Sequence, residues 1–187
     1  PGGLAVATIL SCAIFAAISG SSVATAATIG TVAIPEMIQR GYERKFVYGL
    51  LAAGGTLGIL IPPSIPMIVY GFVTEQSVIA LFLAGVGPGL MLVVFFIVFS
   101  MVYARWFGGY TPEPASSWDE RMRATVRAFP SILLALVVIG AIYSGAATPT
   151  EAAAIGFAVA LLITGPILRT LTWQGLKEAA FDAMVTT

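Results

Sequence analysis

Two short segments of this 187-residue chain combine residue types that could bind a small cation. The first places Ser19, Ser21, Ser22 and Thr25 beside a glycine in the middle of a charge-free stretch. Hydroxyl groups are costly in apolar surroundings unless something uses them, so these side chains could serve as oxygen ligands. The alternative, which stays open, is that small residues here only let membrane helices pack closely.

The second segment, residues 54–66, is rich in glycine and contains Pro62, Pro63 and Pro66. Proline lacks an amide hydrogen and clashes with preceding carbonyls, so a helix should not run through this sequence. The carbonyls of about residues 58–62 should then lose their partners. A kink in a packed helix is the simpler interpretation, but secondary transporters use discontinuous helices to bind coupling cations and anionic substrates.

The overall composition indicates which solvent surrounds these segments. With 58% hydrophobic and 10% charged residues and a mean hydropathy of +0.97, the chain has too few polar groups to cover a soluble globule. We predict an all-α integral membrane protein, a multi-span helical bundle in contact with lipid.

Charge and residue counts exclude several classes of function. Zero net charge argues against nucleic acid as a partner, and one cysteine with no histidine argues against disulfides and Cys/His metal sites within the chain. An intramembrane enzyme needs a nucleophile with a base, or paired acids, and the charge-free runs contain neither. We therefore expect no catalytic residues.

The helices that position both segments follow from charge-free runs long enough for a hydrocarbon core of about 30 Å. Clusters of Lys and Arg alternate with loops that have none, and basic clusters stay cytoplasmic.

Irregular backbone at membrane depth must line a cavity or be buried, so the Ser-rich tip predicts a re-entrant hairpin. The predicted elements are this hairpin (1–35), a Pro-broken transmembrane helix (46–73), a transmembrane helix (78–104), a cytoplasmic loop with an interfacial helix (105–128), two transmembrane helices (129–146 and 149–168) and the start of another helix (173–187).

Three motifs, in this order and spacing, resemble the large membrane subunit (DctM-like) of tripartite ATP-independent periplasmic (TRAP) transporters. They are Gly20-Ser21-Ser22-Val23-Ala24-Thr25, Gly55-Thr56-Leu57-Gly58-Ile59-Leu60-Ile61-Pro62-Pro63-Ser64, and Ala147-Thr148-Pro149-Thr150-Glu151-Ala152-Ala153. In the third, Thr148 suits the N-cap position of a helix. Because such subunits are more than twice as long and this chain begins without Met, we expect a fragment covering most of the first half.

The resemblance implies a site and a set of partners. It implies sodium ligands at Ser19, Ser21, Ser22, Thr25, Gly58, Ile61 and Pro63, and substrate contacts at Ser22, Val23, Pro62 and Ser64. It further implies a sodium-coupled, elevator-type importer of organic acids (carboxylates) in the bacterial inner membrane, with sodium as the coupling ion and no other cofactor. A small DctQ-like membrane subunit and a periplasmic binding protein would be its partners. A stand-alone ion-coupled anion transporter or a channel of related architecture is the alternative.

Overall fold

The computed structural model describes residues 2–107, 118–167 and 169–186. Most of these residues are helical and none of them lies in a strand, which confirms the prediction of an all-α membrane bundle. The elements are α1 (Gly3–Ser19), α2 (Ser22–Gln39), α3 (Arg44–Leu60), α4 (Ile65–Thr74), α5 (Val78–Trp106), α6 (Trp118–Tyr143), α7 (Pro149–Leu162), a π-helical turn (Ile163–Ile167) and α8 (Trp173–Thr186).

Four helical segments in the described part of the chain are long and apolar enough to cross a membrane. They are Arg44–Thr74, which includes the break between α3 and α4, Val78–Trp106, Met122–Tyr143 and Pro149–Pro166. Helix α1 is apolar but has 17 residues, so at 1.5 Å per residue it is about 25 Å long, short of a hydrocarbon core of about 30 Å. Large apolar side chains such as Phe72, which is 85% exposed, face outward, as expected of a multi-pass membrane protein.

The chain divides into two compact units, residues 1–120 and 121–187. In the first unit α3 packs against α1, α2 and α5. Helices α1 and α3 approach closely because Gly54 faces Cys12, where an added Cβ would lie 2.8 Å from the cysteine sulfur. Small residues at such contacts are what allows membrane helices to pack tightly. The wholly buried apolar side chains of this unit include Ile9, Cys12, Met37, Val47 and Leu57.

Helices α1 and α2 form a hairpin whose turn is Gly20 and Ser21. Gly20 adopts a left-handed conformation with φ 62° and donates its N–H to the carbonyl of Ala16, which ends α1. The Ser21 hydroxyl accepts a hydrogen bond from the Ala24 N–H and caps α2. Helix α2 continues beyond the expected limit at residue 35, and an ion pair between Glu36 and Arg40 supports its last turn.

Helix α3 ends at Leu60 and α4 begins at Ile65, so the three prolines interrupt one membrane-crossing segment. The Ile61 N–H still donates to the Leu57 carbonyl (2.8 Å), which is the last bond of the α3 pattern. The Pro62–Pro63 peptide bond is cis. Pro66 falls in the first turn of α4, where its missing N–H removes no helical hydrogen bond.

The structure differs from the expected boundaries around residues 105–146. Helix α5 extends to Trp106, and residues 108–117 of the expected cytoplasmic loop lie outside the described part. In place of a separate interfacial helix, α6 is continuous from Trp118 and ends at Tyr143, before a turn at Gly145 with φ 72°. The charged first turns of α6 are simply the polar end of the same helix.

Helix α7 begins with the predicted N-cap. The Thr148 hydroxyl accepts from the Glu151 N–H (3.3 Å), and the Glu151 carboxylate accepts from the Thr148 N–H (2.8 Å). This reciprocal pair is a capping box, and it satisfies two amide groups that a helix start otherwise leaves without partners. The expected span 149–168 is α7 and the π-helical turn up to Ile167, and residue 168 lies outside the description.

Candidate functional site

Hydroxyl groups cluster at the tip of the hairpin. The Thr25 hydroxyl is fully buried; it donates to the Ser21 carbonyl (2.7 Å) and lies 3.1 Å from the Ser19 hydroxyl. The Ser19 hydroxyl also lies 3.4 Å from the Ser21 carbonyl. Three of the predicted ligand residues therefore come together around one backbone carbonyl at the junction of α1 and α2.

The hairpin tip packs directly on α3. A Cβ added to Gly58 would lie 2.8 Å from the Ser21 carbonyl oxygen and 2.9 Å from the Ser22 nitrogen. One turn earlier, a Cβ on Gly55 would lie 3.0 Å from the Ser22 carbonyl oxygen. Real Cβ atoms essentially never come as close as the contact at Gly58, and the contact at Gly55 would be unusually tight, so glycine at these positions lets the main chain of the tip rest on the main chain of α3.

The tip also contacts the break itself. The Ile65 N–H donates to the Gly20 carbonyl (3.2 Å), and a Cβ on Gly20 would lie 2.6 Å from the Pro63 carbonyl oxygen. The hairpin tip and the start of α4 are thus joined main chain to main chain. The predicted ligand residues Gly58, in the last turn of α3, and Pro63, within the break, both border the tip.

The break leaves backbone carbonyls without their usual helical donors. Pro62 has no N–H, so the Gly58 carbonyl cannot receive the normal hydrogen bond from four residues ahead. The N–H that would serve the Ile61 carbonyl belongs to Ile65 and is donated to Gly20. Carbonyl oxygens freed in this way, next to clustered hydroxyls, are the neutral ligands that transporters present to a coupling cation.

The two helix starts at the site differ as anion binders. At the start of α4 the Ile65 N–H is already donated to Gly20 and Pro66 has no N–H to offer. At the start of α2 the N–H groups of Ser22 and Val23 have no acceptor among the described residues. Free N–H groups at a helix N-terminus attract negative charge, so α2 is the stronger candidate for holding an anion.

The remaining predicted substrate residues occupy contrasting positions. Val23 is 63% exposed, whereas Pro62 and Ser64 are buried. The Ser64 hydroxyl has no hydrogen-bond partner within the described part of the chain, which is unusual for a buried hydroxyl. The sequence positions 1–35 and 46–74 carry no charged side chain, so the site is neutral.

Gly20 and Ile65 were not among the predicted site residues, although their backbones join the hairpin to the break. A glycine followed at once by a serine is a signal for this arrangement, because glycine often ends one helix and serine begins the next. The long-range bond to Ile65 has no sequence signal.

Fold and site together define a multi-pass helical membrane protein in which a hairpin tip meets a broken helix. The family described as "Tripartite ATP-independent periplasmic transporter, DctM component" matches residues 1–187. The chain belongs to this family, as the resemblance of its three motifs predicted.

Curated relatives agree with this assignment. The C4-dicarboxylate TRAP transporter large permease protein DctM of Pseudomonas aeruginosa is 48% identical over 154 residues, which cover 82% of this chain and 36% of the relative. The ectoine TRAP transporter large permease protein TeaC of Halomonas elongata is 41% identical over 170 residues, which cover 91% of this chain and 40% of the relative. The isethionate TRAP transporter permease protein DctMQ of Oleidesulfovibrio alaskensis is 38% identical over 186 residues, which cover 100% of this chain and 29% of the relative. The chain therefore spans well under half the length of these relatives, whose names give three different transported molecules.

Proposed function

We propose that this chain forms part of the ion and substrate pathway of a sodium-coupled permease that imports organic acids across the bacterial inner membrane by an elevator-type movement. The observation that supports this most directly is the contact between hairpin tip and broken helix. There, clustered hydroxyls, freed carbonyls and free N–H groups meet without any charged side chain.

Sodium suits this set of groups because it is a hard cation that prefers oxygen. The oxygens would come from the hydroxyls of Ser19, Ser21, Ser22 and Thr25 and from the carbonyls of Gly58, Ile61 and Pro63. Neutral ligands give modest affinity, and a coupling ion must be released again on the cytoplasmic side. A carboxylate would be held beside this ion by the Ser22 and Val23 N–H groups, with Pro62 and Ser64 on the other wall.

The partners follow from the tripartite design of the family. A soluble periplasmic protein would deliver the substrate, and a small DctQ-like membrane subunit would accompany the permease. The name DctMQ of the isethionate relative supports the second partner. The three transported molecules named among the relatives support a division of labour in which the delivering protein selects the substrate.

The sodium site is tested by removing one buried hydroxyl while keeping the shape of the side chain. Thr25→Val in the full-length permease, reconstituted in proteoliposomes with its partners, should raise the half-saturating sodium concentration for uptake. Losing a buried polar partner costs about 1 kcal/mol or more, which corresponds to roughly a five-fold rise.

Thr31→Val is the matched control, because Thr31 lies on the same helix and its exposed hydroxyl only donates to the Thr28 carbonyl. It should leave sodium dependence unchanged. The proposal fails if Thr25→Val and Thr31→Val both behave like the parent. Uptake that never exceeds the external substrate concentration, even with an inward sodium gradient, would instead favour a channel.

A further inference from the structure

The end of α3 rests on α5 at two glycines. A Cβ on Gly85 would lie 2.8 Å from the Leu60 carbonyl oxygen, and one on Gly89 would lie 3.6 Å from the same oxygen and 3.2 Å from Cγ1 of Ile61. Both glycines are buried, and four residues apart they share one face of α5. At Gly85 the absence of a side chain lets α5 approach the backbone at the break, whereas at Gly89 the backbone oxygen would be at ordinary contact distance.

Gly85 borders the other half-helix as well. A Cβ at this position would lie 2.6 Å from Cε of Met67, a residue of α4. A single residue of α5 therefore touches the last residue of α3 and the first turn of α4. A side chain at position 85 would therefore meet both half-helices at once.

The Leu60 carbonyl belongs to the last residue of α3, shortly before Pro63, whose carbonyl oxygen borders the hairpin tip. Its usual donor would be the Ser64 N–H, and within residues 2–107 that bond is not formed. The oxygen points instead at the open side of Gly85, where an added Cβ would lie 2.8 Å from it. Since successive peptide planes are linked, the direction of the Leu60 carbonyl constrains where those of Ile61 and Pro63 point.

We propose that Gly85 is a positioning residue for the cation site, acting through the Leu60 carbonyl. Gly89 has the same role with a smaller effect, because its nearest neighbour is a side-chain atom of Ile61 that can move. This inference rests on the proposed function above, in which sodium binds where hairpin tip and break meet. It adds a residue of α5, a helix outside both the hairpin and the broken helix.

The test compares Gly85→Ala with Gly87→Ala in the full-length permease and its partners. Gly87 lies on the same helix, and an added Cβ there would meet nothing within 4 Å, so it matches the change in helix propensity without the contact. Gly85→Ala should raise the half-saturating sodium concentration roughly three- to ten-fold, as expected for disturbing one buried polar contact. The maximal uptake rate at saturating sodium should change much less, and Gly87→Ala should change neither.

A second variant separates the two neighbours of Gly85. Met67→Ala removes the flexible Cε that an alanine at 85 would meet, but it leaves the Leu60 carbonyl in place. The double variant Gly85→Ala/Met67→Ala should therefore keep the raised sodium requirement. If the double variant returns to parental sodium dependence, the effect came from Met67 and the proposal is wrong.

Size-exclusion chromatography in detergent shows whether each variant folds. If Gly85→Ala aggregates, the double variant and Gly89→Ala test the proposal in its place. Both should show a raised sodium requirement, and parental values in both would overturn the proposal. A sodium-dependent parent with an unchanged Gly85→Ala would overturn this inference alone. A parent with no sodium dependence would overturn both this inference and the proposed function.

Discussion

Gly20→Ala is the substitution that most directly probes the contact between hairpin and break. Gly20 has φ 62°, and an added Cβ would lie 2.6 Å from the Pro63 carbonyl oxygen. Gly145 supplies a matched control, because its φ is 72° and an added Cβ would meet nothing within 4 Å. Both substitutions force alanine into the left-handed region, but only one of them drives an atom into the break.

The expected magnitudes differ accordingly. Placing a residue with a Cβ in the left-handed region costs roughly 1–2 kcal/mol, which is the full expected loss for Gly145→Ala. Gly20→Ala must also displace the tip and weaken the bond from the Ile65 N–H to the Gly20 carbonyl, a further loss of about 0.5–1.5 kcal/mol. The displaced Pro63 carbonyl adds to this, so Gly20→Ala should be clearly the more destabilising.

Thermal unfolding of the purified full-length permease, followed by size-exclusion chromatography in detergent, ranks the two variants. Sodium-dependent uptake in proteoliposomes then shows whether the site is affected. Gly20→Ala should unfold at the lower temperature and lose sodium-dependent uptake, whereas Gly145→Ala should keep it. Equal losses of stability with unchanged uptake would refute the packing of the tip on Pro63.

Two further predictions concern topology and helix capping. In a Cys12→Ser background, Gln76→Cys should react with an impermeant maleimide added from the periplasmic side and Gln39→Cys should not. The reason is that basic residues, which stay cytoplasmic, follow Gln39 in the sequence. Labelling of position 39 from outside would contradict the hairpin. Thr148→Val removes the hydroxyl of the capping box and should lower the free energy of unfolding by about 1 kcal/mol. Thr150→Val is its control in the same thermal assay, and equal effects would show that the capping box contributes nothing.

The parts of the fold that the sequence predicts are those with local causes. Proline cannot donate a backbone hydrogen bond, so the interruption between Leu60 and Ile65 could be placed from residues 54–66 alone. Threonine, proline and glutamate at 148–151 likewise predict the start of α7, because a capping box involves only neighbouring residues.

The rest depends on contacts between segments far apart in the sequence. Nothing local to Gly85 indicates that it meets Leu60, and nothing in the Ser-rich tip indicates that Gly20 accepts from Ile65. The continuity of α6 is hidden in the sequence for a different reason. Its first turns from Trp118 are charged and its later turns are apolar, and such a change in polarity predicts a boundary between two elements although the helix is continuous.

The main-chain character of the contact between hairpin and break bears on how such proteins can evolve. Because the tip meets α3 and α4 through glycine and backbone atoms, most side chains at the tip take no part in holding it there, and Val23 faces outward. Exposed positions of this kind are free to vary while the glycines are not. A lineage could thus vary an exposed tip side chain such as Val23 while the glycines keep the main chain of the tip against α3 and α4.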